Sequence, residues 1–272
     1  MNYKIIIILL FTSLITSCVQ ERDLSQNTVI AHILSQPDGL HPYNNNSVMR
    51  SYVFQYTQKT LLRLDLESLE YVPDLLKELP SSSEDNKTFY FELKDNISWD
   101  DGSPVTSEDI KFSTKIMLCH LTDNSQIRPI YNSVIQSVEI DPENPLKFTM
   151  RALDVNWTAK TILGGIYIQQ KKYWDPNGIV DKITFEQILS RSFEETDEIT
   201  NWFNDFNHAD NSFKPNKLKG LGPYVVSEWE PSQYITLTKK SSWWGSKDTS
   251  VYNKSYPEKI IFKVIREDAS SY

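Results

Sequence analysis

Thr88-Phe89-Tyr90-Phe91-Glu92-Leu93-Lys94, then Trp99-Asp100-Asp101-Gly102-Ser103-Pro104-Val105-Thr106-Ser107-Glu108-Asp109-Ile110, is the stretch on which the fold turns. Its first part alternates, with Phe89, Phe91 and Leu93 on one face, as a half-buried strand requires. Asp100 to Pro104 then concentrates the residues of a tight turn, where Gly102 and Pro104 bring the chain sharply round. Thr106 and Asp109 stand three apart at the entrance to a helical pattern that carries Ile110, Phe112, Ile116 and Met117. That spacing is close to a capping box, in which hydroxyl and acid satisfy the amides that a helix start leaves unpaired. Strand, turn and capped helix thus follow in immediate succession.

Upstream, Thr28 to Leu34 has the composition of a strand and breaks at Pro37-Asp38-Gly39. The polar loop Asn44 to Ser47 supplies N-cap residues for a helix that starts at Val48 and is predicted to run to about Lys59. Leu61–Asp65 and Leu69–Val72 read as short strands joined by a turn, and Ser81 to Asn86 as a hydrophilic loop. Downstream, Val134–Ile140 and Leu146–Met150 form a strand pair around a Pro- and Asn-containing turn. After Asn156 the pattern is less regular until a helix over Glu194–Phe206, with Ile199, Trp202, Phe203 and Phe206 on one stripe. Gly220-Leu221-Gly222-Pro223 punctuates the chain before strands at Tyr224–Trp229, Tyr234–Thr238 and Lys259–Ile265. Strands and helices mix without regular β-α-β alternation, which predicts a mixed α+β chain of the α/β class.

Bulk composition agrees with a folded, exported protein. The 272 residues are 39% hydrophobic and 12% aromatic, and Lys+Arg 28 against Asp+Glu 36 leaves a net charge of −8. No basic stripe is present, so no nucleic-acid partner is expected. Lys4 precedes an apolar run from Ile5 to Leu10 that continues through Leu14 and Ile15. The run is too short to span a bilayer and fits the core of a signal peptide over residues 1–17. Ile15-Thr16-Ser17-Cys18 resembles the lipobox of bacterial lipoproteins, in which the cysteine becomes the lipidated first residue. Cys18 is therefore the expected lipidation site, and residues 18–27 a polar tether to the membrane. That leaves Cys119 without an intramolecular disulfide partner; in its helical pattern it reads as a small buried hydrophobe.

Catalytic and metal constellations are missing from the pattern. His32, His41, His120 and His208 have no metal-ligand spacing, and no nucleophile elbow, P-loop or dinucleotide fingerprint occurs. Pro223 removes an amide that a phosphate cradle at Gly220–Gly222 would need. Asp100-Asp101 is the obvious carboxylate pair and raises the reading of an exported hydrolase, but acids before Gly-Ser-Pro are turn residues. Neither a catalytic residue, a metal site nor a cofactor is expected, and the protein is read as a non-enzyme.

Taken together, four stretches resemble the extracellular solute-binding proteins of family 5, which include oligopeptide- and dipeptide-binding lipoproteins of ABC transporters. They are Leu40-His41-Pro42 with Leu61 to Asp65 and Val72-Pro73-Asp74-Leu75; the Thr88–Ile110 stretch; Gly220 to Tyr224 leading to Trp243-Trp244-Gly245; and Lys259 to Ile265. Two departures stand out: His41 occupies a position where the family usually has Asp, and Val19 follows the lipobox cysteine where an acid is usual.

The resemblance implies a periplasmic-binding-protein-like type II lobe with an inserted small domain. Residues 28–57 and 157–272 would form the incomplete first lobe and 58–156 the insertion, with the second lobe missing from this chain. It further implies ligand contacts from Asn45, Asn46, Ser47 and Val48, a peptide or other small solute as ligand, and an ABC permease as partner. The place of action would be the cell envelope, anchored by the N-terminal lipid and facing the periplasm or outside. The competing expectation is a truncated or repurposed lipoprotein with a structural or interaction role.

Overall fold

The deciding stretch folds as read. In the computed structural model, which describes residues 27–248, 250 and 253–265, strand β1 (Thr28–Ile33) leads through Pro37–Gly39 to helix α1 (Val48–Thr57). A hairpin of β2 (Leu62–Leu64) and β3 (Tyr71–Pro73) is followed by β4 (Ser81–Ser82), β5 (Thr88–Glu92) and helix α2 (Ser107–Leu118). Helix α3 (Arg128–Asn132) precedes strands β6 (Ile135–Ile140) and β7 (Lys147–Ala152). Helices α4 (Ala159–Gly164), α5 (Lys171–Trp174), α6 (Phe185–Ser190), α7 (Asp197–Asn207) and α8 (Asp210–Phe213) come next. Strands β8 (Tyr224–Glu230), β9 (Tyr234–Lys239) and β10 (Lys259–Val264) close the described chain.

Two sheets organise these elements. One has the order β4-β5-β7-β6 and is antiparallel throughout, with Phe89 opposite Met150 and Phe91 opposite Phe148. The Phe91 and Phe148 rings stack with centroids 5.0 Å apart. Ile110, Phe112, Ile116 and Met117 of α2 are all buried in the core of this sheet. The other sheet has the order β1-β10-β9-β8, and β1 lies parallel to β10 with Val29 opposite Ile260. A parallel pair needs a long crossover; here it is the whole chain between Ile33 and Lys259.

Ser81 and Ser82, read from sequence as loop, pair with Tyr90 and Phe89 as a short edge strand. The α1 helix ends at Thr57, where Gln58 turns to an extended conformation, φ −116°. Buried side chains fall into two clusters. Ile33, Leu40, Val53 and Phe54 bury with Tyr224, Val226, Ile235, Leu237, Ile260 and Phe262. Residues from Leu61 onward, including Ala159, Leu163, Phe185, Phe203 and Phe206, bury with Phe89 and Phe91 in the other. The segment between 159 and 221 therefore shares its core with the β5 sheet, whereas the expected division at 156/157 groups it with β1. In the connection that follows α1, Lys59 and Asp74 form a buried ion pair, Nζ to Oδ1 at 2.9 Å, and Lys59 Nζ also donates to Asn253 Oδ1 at 2.8 Å.

Candidate functional site: the His41–Val48 turn

The chain leaves β1 and turns at Gly39, whose φ of +148° suits glycine, and a Cβ there would lie 2.4 Å from Asn45 Oδ1. Glycine therefore lets the loop close on Asn45. Asn45 Oδ1 accepts from the His41 amide at 3.0 Å and its Nδ2 donates to the Asp38 carbonyl at 3.2 Å. Asp38 completes the turn: its carboxylate accepts the amides of Asn46 at 3.2 Å and Ser47 at 3.3 Å. Partial burial pushes the Asp38 carboxyl up, but the hydrogen bonds from Ser47 and from these amides outweigh it and hold it below the ordinary value. Ser47 caps α1, its Oγ accepting the Arg50 amide at 3.2 Å.

His41 is the pivot of the turn and is fully buried. Its Nδ1 faces the amides of Tyr43 at 3.2 Å and Asn44 at 3.1 Å, so it must be the acceptor. The proton then sits on Nε2, which donates to the Phe206 carbonyl at 2.8 Å. Burial lowers its pKa to about 4, so the ring is neutral at ordinary pH. A neutral imidazole thus closes the turn from both of its nitrogens.

Of the residues expected at the site, Asn45 is committed to the turn, and the Ser47 side chain to the cap and to Asp38. Asn46 is exposed and Val48 is 64% exposed at the start of α1. Asn46 also borders a cavity of about 130 Å³, lined by Asp38, Tyr43 and Asn44 on one side and Asp123 to Ile127 on the other. This lining is rich in amides and carboxylates and has no cationic side chain. Asn44 Oδ1 is buried there without a hydrogen-bond partner.

Arg50 is the residue that sequence reasoning missed. It is buried, and its Nη1 donates to the carbonyls of His41 at 3.2 Å and Pro42 at 3.1 Å. Its guanidinium lies 4.7 Å from the centre of the Phe54 ring. Burial lowers its pKa, although arginine keeps its charge. The signal was present, because Arg50 shares the apolar face of α1 with Val53, Phe54 and Thr57 at helical spacing.

The Asp100-Asp101 pair is divided between separate partners. Asp100 pairs with Lys240 Nζ at 2.6 Å. Asp101 accepts the hydroxyl and amide of Ser103, with Lys172 Nζ at 3.3 Å, and these hydrogen bonds hold it well below the usual carboxylate range. The two carboxylates are thus engaged by different partners. Among the described residues no group of three or more His, Cys, Asp or Glu side chains is arranged to hold a metal, and no helix is long and apolar enough to cross a membrane.

Known proteins of similar sequence and shape carry the same scaffold. The probable peptide-binding protein YejA of Agrobacterium fabrum is 26% identical over 192 residues, 71% of this chain and 26% of that protein. The periplasmic murein peptide-binding protein MppA of Escherichia coli is 23% identical over 252 residues, 89% of this chain and 40% of its own length. The oligopeptide-binding protein AppA of Bacillus subtilis, solved in complex with a nonapeptide, superposes with a TM-score of 0.63 at 16% identity, over 88% of this chain and 40% of AppA. The chain thus spans well under half the length of these relatives. Residues 70–272 match the model for bacterial extracellular solute-binding proteins, family 5 Middle. Three quarters of the chain answers to that one model, and its fold is that of the solved peptide binders, so the protein belongs to the extracellular solute-binding proteins of family 5.

Proposed function

We propose that this chain supplies one side of a peptide-binding cleft in a lipid-anchored solute receptor that feeds an ABC permease. The observation that carries the reading is the His41–Val48 turn. Asp38, Asn45 and His41 hold its backbone rigid while Asn46 and Val48 face outward beside a polar cavity. A rigid edge of this kind suits an extended peptide, which is held largely through its main chain and through water, so that varied side chains are tolerated. Relatives named for peptide binding support the same ligand class. We keep residues 28–57 and 157–272 as the first lobe and 58–156 as the inserted domain in chain order, with the 159–221 stretch sharing its core with the insertion, and closure by hinge motion against a second lobe. Cys18, the signal and the tether up to residue 26 lie outside the described residues. The lipobox pattern supports lipidation at Cys18 and a position at the outer face of a membrane.

The test is the melting midpoint of the full-length protein with a mixed pool of short peptides. Binding to the folded state alone stabilises it by about 2.7 kcal/mol when ligand is at 100 times its Kd. Asn46→Ala with Val48→Lys should shrink that shift while leaving the unliganded midpoint in place, because both side chains are exposed. A wild-type midpoint that ignores millimolar peptide would rule out the peptide reading. Failure of Cys18→Ser to abolish palmitate labelling in growing cells would rule out the anchor.

A further inference from the structure

The cavity beside the His41–Val48 turn is lined with acceptors and carries no cation. Asp38, Asn44 and Asn46 border it from the turn, and Asp123, Asn124 and Gln126 from the segment that follows α2. Two carboxylates and four side-chain amides thus surround about 130 Å³, and no Lys, Arg or His lines it. Asp38 is ionised there, since the hydrogen bonds that it accepts hold its pKa below the ordinary value. Asp123 uses its backbone amide on Asn207 Oδ1 at 3.1 Å, and no hydrogen bond or ion pair to its carboxylate occurs among the described residues. Each acid feels one arginine, Asp38 Arg50 and Asp123 Arg128. Both guanidiniums are turned to backbone carbonyls, Arg50 to His41 and Pro42, Arg128 to Cys119, His120 and Thr122.

A second observation is the Asn44 side chain. Its Oδ1 is buried and accepts from nothing among the described residues. The Asn44 amide donates to His41 Nδ1 at 3.1 Å, which keeps the residue in the cavity wall. Neighbouring Asn124 has no such need, because its Nδ2 donates to the Met117 carbonyl and its Oδ1 accepts Arg128 Nη1. A buried acceptor without a donor costs the hydration that it has lost. Water fits the cavity and would serve Asn44, but it brings no charge to set against two carboxylates. An ammonium or guanidinium brings both the donor and the charge, whereas a carboxylate or phosphate is repelled.

We propose that this cavity receives a cationic nitrogen of the bound peptide, an ammonium or a guanidinium, which donates to Asn44 Oδ1 between the carboxylates of Asp38 and Asp123. The inference rests on the reading that the His41–Val48 turn borders the peptide, and it adds a charge preference to that site. Asn46 connects the two, being exposed on the turn and also part of the cavity lining. A peptide laid along Asn46 and Val48 therefore brings one of its groups to the cavity mouth. The nitrogen has two sources, the peptide's own N-terminus or a Lys or Arg side chain, and the chemistry at Asn44 is the same for both.

The test compares four tetrapeptide pools on the full-length protein, by the melting midpoint across a concentration series. Two pools carry Lys and Arg, and two carry neutral norleucine and citrulline in their place; one of each is acetylated at the N-terminus. A pool that offers the cation should bind roughly tenfold more tightly than one that lacks it. Loss on acetylation assigns the nitrogen to the N-terminus, and loss on replacing Lys and Arg assigns it to a side chain; either supports the proposal. Asp123→Asn should narrow the preference several-fold, with the unliganded midpoint near wild type because the residue is exposed. Asn44→Leu with Asp123→Asn should bring the pools level, and Asp123→Asn alone decides should the double variant unfold. Equal binding of all four pools by wild type means that water alone fills the cavity and overturns the proposal, as does a preference that survives in the variants. Binding without charge preference leaves the peptide reading standing, whereas no midpoint shift with any pool overturns both.

Discussion

His41 Nε2 and the Phe206 carbonyl meet at 2.8 Å across 165 residues of sequence, joining the turn after β1 to the end of α7. Protonation would leave that bond in place but would put a hydrogen on Nδ1, where two backbone amides already donate, so the turn holds a neutral ring. Burial depresses the folded pKa from 6.5 to about 4. Below pH 6.5 the unfolded chain binds the proton and the folded chain does not. Stability is therefore complete above 6.5, falls by about 1.4 kcal/mol per pH unit below it, and levels off near 4 after a loss of roughly 3 kcal/mol. His41→Asn keeps an acceptor for the amides but cannot titrate. Its stability by urea unfolding should be lower at pH 7.5 and less steep between pH 6.5 and 4 than wild type. Parallel pH profiles for the two proteins would contradict the assignment.

This bond also marks where the sequence stops being legible. The strand at Phe89–Leu93, the turn at Gly102 and the cap at Asp109 were readable because each depends on local spacing. The β10–β9–β8 meander was visible as three alternating runs. Which clusters those runs join was not, because the 159–221 segment buries its side chains by distant contacts such as Trp202 Nε1 to the Trp174 carbonyl. The short helices α4 to α6 went unread for the same reason: their stability comes from tertiary burial of Leu163 or Ile188 and not from their own periodicity. At the site, the N-cap role of Ser47 was legible. The roles of Asp38 and Arg50 were not, since each acts on backbone groups several residues away.

Asp109 gathers three donors that would otherwise be orphaned in the core. Its carboxylate accepts Trp99 Nε1 at 3.2 Å, the Thr106 amide at 3.0 Å and the Lys171 amide at 2.8 Å. The capping acid thus ties the turn, the start of α2 and the start of α5 into one node. Asp109→Asn keeps one acceptor oxygen and should cost about 1–3 kcal/mol, while Asp109→Ala strands all three donors and should cost more. The Trp99 near-ultraviolet signal should change in step with the loss. An alanine variant as stable as wild type would remove Asp109 from this role.

Two glycines with different reasons should respond differently to alanine. At Gly222 a Cβ would sit 2.2 Å from the Tyr56 carbonyl oxygen, and the Gly222 amide donates to the Thr57 carbonyl at 3.0 Å. Gly222→Ala must therefore push the C-terminal end of α1 from the strand that begins at Tyr224, at a cost of roughly 1–3 kcal/mol from overpacking. At Gly102 nothing lies within 4 Å of a Cβ, and only φ +79° resists the substitution. Gly102→Ala should cost about 1–2 kcal/mol from backbone strain alone. Only the Gly222 variant should perturb the Tyr56–Tyr224 edge-on contact, whose centroids are 5.9 Å apart.

Lys59 and Asp74 form a buried ion pair, with side chains only 4% and 7% exposed. Burial lowers the Lys59 pKa, and Asp74 opposes that shift without cancelling it. Desolvation of both charges is the dominant cost, so removing one partner leaves the other charge stranded. Lys59→Met or Asp74→Leu alone should lose about 3–5 kcal/mol, whereas the double substitution should recover most of it. Recovery should be incomplete, because Asn253 Oδ1 loses the ammonium that it accepts from, while Asn253 Nδ2 still donates to Asp248 at 2.8 Å. A double-mutant cycle by urea unfolding measures this coupling. Additive losses would mean that the two side chains do not depend on each other; recovery in the double variant means that the pair stands or falls together.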